Sequence, residues 1–315
     1  MTSLAEPVVR DGRVATDLLT FDPADVAARF DREPFLIGHR LADHPLLQLP
    51  RLIELARTLP EESVEYNAGS VGIDQRPELT PRTGLSIEET LRQIETCGSW
   101  MVLKDVEHDP EYRQLLDACL DAIKPEIDRV APGMCRRHAF IFVSSPGATT
   151  PYHVDYELNF LLHVRGDKTM TVWNGQDRDV MSEGERERIL TGGQRNLPYR
   201  DEFAAKAWVF QLRPGMGVHV PLSSPHHVKV GDKVSISFSI TFLTDDGQRV
   251  RALHRTNAFL RRLGWKPRDV GISKTGDAVK FLGFRIADFL ARIRARLLAM
   301  LGRKAKTQAS SQRYA

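Results

Sequence analysis

Residues 149–174 read Thr149-Thr-Pro-Tyr-His153-Val-Asp155-Tyr-Glu-Leu-Asn159-Phe-Leu-Leu-His-Val-Arg-Gly166-Asp-Lys168-Thr-Met-Thr-Val-Trp173-Asn174. His153 and Asp155 stand two residues apart. On a β-strand that spacing places both side chains on one face. An imidazole beside a carboxylate makes two of the three ligands of a two-histidine, one-carboxylate iron site. Such a pair is common by chance, so its weight depends on a third ligand from elsewhere in the chain. The segment Val220-Pro-Leu-Ser-Ser-Pro-His226-His227-Val-Lys-Val230 offers one. His226 follows Pro221 in a strand–turn–strand setting and can close the triad from across a barrel. His227, its neighbour, points to the opposite face.

The surrounding pattern is that of an all-β unit. From His138 the period is two. Strands are expected over 138–144, 152–160 and 161–173, the last broken by a turn at Arg165-Gly166-Asp167, and then over 208–212, 217–220, 226–230 and 233–243. Several short strands separated by turn signals point to a closed or sandwiched sheet. Residues 182–207 read as a polar insert with a short helix over 183–190.

Upstream of this unit the pattern is mixed α/β. Asp22 and Pro23 mark a helix start, and the helix over 50–59 is expected to stop at Pro60. Residues 33–38, 62–67 and 99–104 read as strands, and 69–84 as a loop. Ser86-Ile-Glu-Glu89 is a capping box opening a helix over 86–95. Residues 110–130 form a longer amphipathic helix through Leu115, Leu116, Cys119, Leu120, Ile123 and Ile127. The expected organisation is therefore an α/β portion over 1–134, a β core over 135–247 and a helical extension over 248–315 that ends in a disordered tail.

The chain has 315 residues, 42% of them apolar and 27% charged, which fits a soluble globular class. Its opening residues lack the basic and apolar regions of a secretory leader, and no apolar run reaches the roughly 18 residues of a membrane span. Cys97, Cys119 and Cys135 are odd in number without metal-type spacing. Reduced, packed thiols and a cytoplasmic setting are expected.

The stretch 135–245, together with Glu33-Pro-Phe-Leu-Ile-Gly38, resembles the Jumonji C class of the cupin superfamily, the Fe(II)- and 2-oxoglutarate-dependent oxygenases. The pattern is similar to that of the asparaginyl hydroxylase acting on hypoxia-inducible factor and of bacterial cupin-like proteins. The resemblance implies a mainly β fold, a double-stranded β-helix (jelly-roll) core with flanking helices. It implies His153, Asp155 and His226 as iron ligands, since His226 lies five residues after Pro221. Thr150, three before the histidine, and Lys168, thirteen after the aspartate, take the positions that bind the distal carboxylate of 2-oxoglutarate. Asn159 takes a position beside the co-substrate.

The chain departs from the family at Gly215-Met216-Gly217, at Pro225 before the distal histidine and at Thr241, where the asparaginyl enzyme has Asn. Asparagine specificity is therefore not carried over. Tyr152, Tyr156 and Trp173 are candidate pocket walls. His138 and His219 read as strand residues with ordinary partners, and His163, eight residues past Asp155, shares its face only if the strand runs unbroken.

The implied activity is hydroxylation of a C–H bond in a protein side chain, a small metabolite or a lipid-like molecule, with release of succinate and CO2. The alternative is a non-catalytic cupin-like protein that binds a metal or regulates. Charge adds a separate observation. Residues 249–315 carry 17 Lys and Arg against 3 acidic residues, a balance of +14, whereas the first 248 carry 27 against 38, or −11. In the helix expected over 277–301, Leu282, Ile286, Phe289, Leu290, Ile293, Leu297 and Leu301 form an apolar stripe among arginines. Packing on protein, including a homodimer through these helices, is one expectation, and an anionic membrane surface is another. Nucleic acid is not expected, because there is charge but no recognised motif.

Overall fold

The computed structural model describes residues 8–10, 13–76, 79–81 and 83–311. It divides into two units, Met1–Gln248 and Arg249–Ala315. In chain order the first unit holds β1 (Val8–Arg10), β2 (Arg13–Ala15), β3 (Leu19–Phe21), α1 (Pro23–Arg29), β4 (Phe35–His39), α2 (Leu49–Thr58), β5 (Val64–Ala68), α3 (Ile87–Arg92), β6 (Ser99–Leu103) and α4 (Pro110–Val130). Then come β7 (Cys135–Ser144), β8 (Thr149–His153), β9 (Leu158–Arg165), β10 (Lys168–Trp173), α5 (Glu183–Leu190), β11 (Ala207–Leu212), β12 (Met216–Val220), β13 (His226–Val230) and β14 (Ser235–Leu243). Helices α6 (Asp245–Arg262) and α7 (Lys274–Ser311) follow.

Two antiparallel sheets form. One has the order β1-β2-β3-β4-β12-β9-β14-β7-β6-β5, the other β11-β10-β13-β8. Strands β7, β9, β12 and β14 lie in the larger sheet, and β8, β10, β11 and β13 in the smaller. The chain thus winds back and forth between two four-stranded layers, which is the winding of a double-stranded β-helix, the expected core. All nine residues of β14 are buried, as its unbroken apolar and small-residue sequence requires of a central strand covered on both faces. Leu161, Met170, Val172, Leu212, Val218, Val220 and Val228 pack together between the layers.

The strands of residues 1–134 extend the larger sheet at both edges. Strand β4 pairs with β12 and β6 with β7, so β12 and β7 are not left as open edges. The local signals placed the helices well. Asp22 accepts from Ala24 N with Pro23 at the first helical position, and Ser86 and Glu89 complete a reciprocal capping box. Helix α4 buries the predicted face, Leu115 through Ile127.

Several boundaries moved. The strand expected over 152–160 is two strands, β8 ending at His153 and β9 starting at Leu158, with 154–157 between them. Strand β7 begins at Cys135, before the expected 138, and α3 ends at Arg92. The tail expected to be disordered is helical as far as Ser311, and the last four residues lie outside the described ones. The insert over 182–207 proved less polar in role than in composition: Ile189, Leu190, Leu197 and Phe203 join a buried cluster with Tyr152 and Trp173.

Candidate metal centre and co-substrate recess

Strands β8 and β13 pair with His226 opposite His153, and the two ring centroids lie 4.2 Å apart. Asp155 comes from the segment after β8. Its Oδ2 lies 3.9 Å from His153 Nε2 and 3.7 Å from His226 Nε2. One donor atom from each residue fits within 4.8 Å of the others. The triad meets, though not through a shared strand face. Asp155 is not on the strand of His153. The chain leaves β8 after His153, which forms an isolated bridge with Asn196, and turns so that the carboxylate swings back beside the imidazole.

The donor set is oriented for a cation. His153 Nδ1 lies 2.8 Å from Pro151 O, and His226 Nδ1 lies 3.0 Å from Ser224 O. A carbonyl can only accept, so each Nδ1 carries the proton and each Nε2 presents its lone pair inward. Arg195 Nη1 donates to Asp155 Oδ1 at 2.8 Å, which leaves Oδ2 for the centre. Burial lowers the His226 pKa to about 4, with His153 alongside adding to the effect, so that ring is neutral at physiological pH. Burial pushes Asp155 the other way, but His153, Arg195 and His226 outweigh it and hold the carboxylate below its ordinary value. Two inward nitrogens and one ionised oxygen suit a divalent transition metal.

Beside the triad is a recess lined by Thr150, Asn159 and Lys168 together with His153, Asp155 and His226. All three residues expected to hold a co-substrate are therefore brought to the triad. Lys168 opens β10 and is 5% exposed. No hydrogen bond or ion pair to its Nζ is present among the described residues, and burial lowers its pKa to about 7. The turn before it needs Gly166, at φ +80°, because a Cβ there would collide with Val234 O. Asn159 Oδ1 accepts from Ser239 Oγ at 2.8 Å, so its amide is held in place.

Tyr152, Tyr156 and Trp173 do not line this space. Strand parity explains Trp173: Lys168, Met170 and Val172 face inward, so Trp173 faces out, where its Nε1 donates to Phe203 O at 2.7 Å. Tyr152 stacks edge-on against it at 5.0 Å, and Tyr156 donates to Arg186 O. All three pack under the 180–207 insert. The walls are instead Trp100, Phe140, Phe142, Thr241, Glu65 and Arg195, around a cavity of about 470 Å³ that reaches His153 and Asp155. Phe140 and Phe142 were legible as one face of β7. Arg195 carried no local signal, because it lies in an irregular insert and gains its role only when that insert folds over Asp155.

The remaining candidates are structural. His163 bonds Ser237 Oγ and Gly166 O. His227 faces away from the triad, against Trp173. His219 accepts from Asp31 N. His138 pairs with Glu107, whose other oxygen accepts from Ala139 N. The three cysteines are unpaired, and burial pushes the Cys119 thiol up to about 12.

The strand order and the triad define the class, a double-stranded β-helix with a two-histidine, one-carboxylate centre. No family model matches the chain, and no curated protein matches its sequence. Among solved structures it is similar to YcfD of Escherichia coli, at 14% identity over 85% of this chain and 68% of that one, with a TM-score of 0.49. It is similar as well to a structure described as the E. coli ribosomal oxygenase YcfD (13%, 85% and 67%, TM-score 0.44). A third is YcfD in complex with cobalt and 2-oxoglutarate (13%, 84% and 65%, TM-score 0.45). The chain thus spans about two thirds of the length of these neighbours. At such identities, what those proteins bind or act on stays with them, and the case for this chain rests on its own residues.

Proposed function

We propose that the protein is an Fe(II)- and 2-oxoglutarate-dependent oxygenase that hydroxylates a substrate C–H bond. The observation that carries this reading is the pairing of a cation-ready triad with a buried lysine that has no anion. An isolated buried ammonium is costly. Lys168 faces the same recess as His153, Asp155 and His226, so a small dianion could chelate a metal at one end and neutralise Lys168 at the other. Thr150 adds a hydroxyl donor and Asn159 an amide along the way. Iron with 2-oxoglutarate supplies dioxygen activation coupled to decarboxylation of the keto acid to succinate.

The chain's own residues orient and enclose. His153 and His226 are locked by their carbonyl partners. Arg195 keeps one oxygen of Asp155 occupied. Phe140, Phe142 and Trp100 supply apolar wall for the reacting carbon. Trp100 Nε1 itself is buried with no hydrogen-bond partner among the described residues. The candidate substrates remain a protein side chain, a small metabolite or a lipid-like molecule.

The test is succinate formation from 2-oxoglutarate with Fe(II) and ascorbate across those substrate classes. Turnover that disappears in Asp155→Ala supports the proposal. Metal binding without succinate formation from any class would favour a non-catalytic metal-binding role.

A further inference from the structure

Within the second unit, α7 has two unlike faces. Its inner face meets α6: Lys280 Nζ donates to Asn257 Oδ1 at 3.1 Å, and Arg249 lies over the Phe281 ring at 5.4 Å. Its other face carries Val279, Leu282, Ile286, Phe289, Leu290 and Ile293, between 38% and 67% exposed. At 100° per residue these six fall within an arc of about 100°, the width of a full amphipathic stripe. Leu297 and Leu301 continue the spacing in the sequence. Phe259, Leu263, Trp265 and Ile272 are also exposed.

The charge around this apolar surface is one-sided. Arg285, Arg292 and Arg296 flank the stripe on one side and Arg294 on the other, by the same rotation. All three acids of the segment pair within it: Asp269 with Arg261, Asp277 with Lys280 and Asp288 with Arg292. The segment as a whole carries a balance of +14. No helix among the described residues is long and apolar enough to cross a membrane.

We propose that this unit binds a membrane surface bearing anionic lipid. The α7 stripe would lie in the headgroup region, with its arginines reaching the lipid phosphates. A basic amphipathic helix binds there through buried apolar area together with attraction to negative headgroups. Long arginine stems can lie along the apolar stripe while their heads stay at the polar boundary. Exposed Trp265 and Phe289 suit the same interface, where aromatic rings concentrate. A second copy fits less well, since joining two stripes of this kind sets +14 against +14.

The test is flotation of the full chain with vesicles of phosphatidylcholine alone and with about 30% phosphatidylserine. It does not depend on the oxygenase reading, because metal-free protein serves equally. Binding is expected with phosphatidylserine, to fall at least tenfold without it or in 0.5 M NaCl, and to be lost in Phe289→Asp/Leu290→Asp. A charge variant, Arg285→Gln/Arg292→Gln/Arg296→Gln, should keep the parent melting temperature and still bind several-fold more weakly. Failure of the parent chain to float with anionic vesicles would overturn the proposal. So would binding unchanged by either variant, a stable dimer that Phe289→Asp/Leu290→Asp dissociates with no change in flotation, or retention on nucleic acid with none on vesicles.

Discussion

Arg195 Nη1 donates to Asp155 Oδ1 at 2.8 Å, while Oδ2 of the same carboxylate lies within 4 Å of both imidazole Nε2 atoms. The guanidinium divides the labour of the carboxylate, one oxygen for orientation and one for the centre. Partners that hold a metal ligand in this way are typically worth about 10- to 100-fold in metal affinity. Arg195→Ala should weaken Fe(II) or Mn(II) binding by that order. Arg195→Lys should recover part of it, because the charge returns without the planar fork. Metal titration followed by calorimetry checks both. Unchanged affinity in Arg195→Ala would remove the guanidinium from this role.

Lys168 predicts a pH dependence. Its pKa in the chain without co-substrate is about 7. Below that value the ammonium is already present to receive a dianion, and above it binding must first take up a proton. Co-substrate affinity should be flat below pH 7 and fall as pH rises above it, by about tenfold per unit in the simplest case. Calorimetry in buffers of different ionisation enthalpy would show the proton uptake at pH 8 and its absence at pH 6. Lys168→Met should abolish the uptake.

Asp31 links stability to the distal histidine. Its carboxylate accepts from Leu222 N at 2.9 Å and so anchors the loop that leads to His226. Burial raises its pKa from 3.8 to about 6. A carboxyl raised in the folded state favours folding below its unfolded pKa, and that contribution is lost as pH rises through the folded value. Between about pH 4 and 6 the parent should therefore lose stability relative to Asp31→Asn as pH rises. Denaturation midpoints of the two proteins across that range give the comparison, and parallel profiles would refute it.

Trp173 tests the corrected assignment of the aromatic residues. It is 1% exposed and bonded to Phe203 O on the outer face of β10. Trp173→Ala should cost about 3–5 kcal/mol of stability, the usual loss for a buried aromatic. At a temperature where the variant is folded, its co-substrate affinity should match the parent. A selective loss of affinity with little loss of stability would restore Trp173 to the pocket wall.

The strands were legible because β7 and β9 to β14 keep period two or unbroken apolar runs between glycine and proline turns. The helices were legible from Asp22 and Ser86 at two N-termini and from the apolar stripe of residues 110–130. Lys168, Thr150 and Asn159 were placed by the resemblance, which carries their offsets from His153 and Asp155 along the same stretch of chain. The break after His153 was hidden, since Val154-Asp155-Tyr156-Glu157 alternates like a strand yet lies outside both β8 and β9. The roles of Arg195 and Trp100 were hidden for a related reason. Each depends on contacts across the fold, Arg195 on a residue 40 positions away, and no local pattern encodes such a contact. Tyr152 and Trp173 misled because aromatics near a site read alike whether they face it or back it, and strand parity decides which.

The most direct measurement is anaerobic binding of 2-oxoglutarate to the Fe(II)-loaded chain, followed by visible charge-transfer absorption and by calorimetry. The account predicts that the keto acid binds only with metal present. It also predicts that His226→Ala and Asp155→Ala abolish the absorption, and that Lys168→Met leaves metal binding intact while weakening the keto acid on the order of 10- to 100-fold, the worth of one charge-assisted contact. Absence of binding by the metal-loaded parent, or binding indifferent to Lys168 and His226, would contradict it.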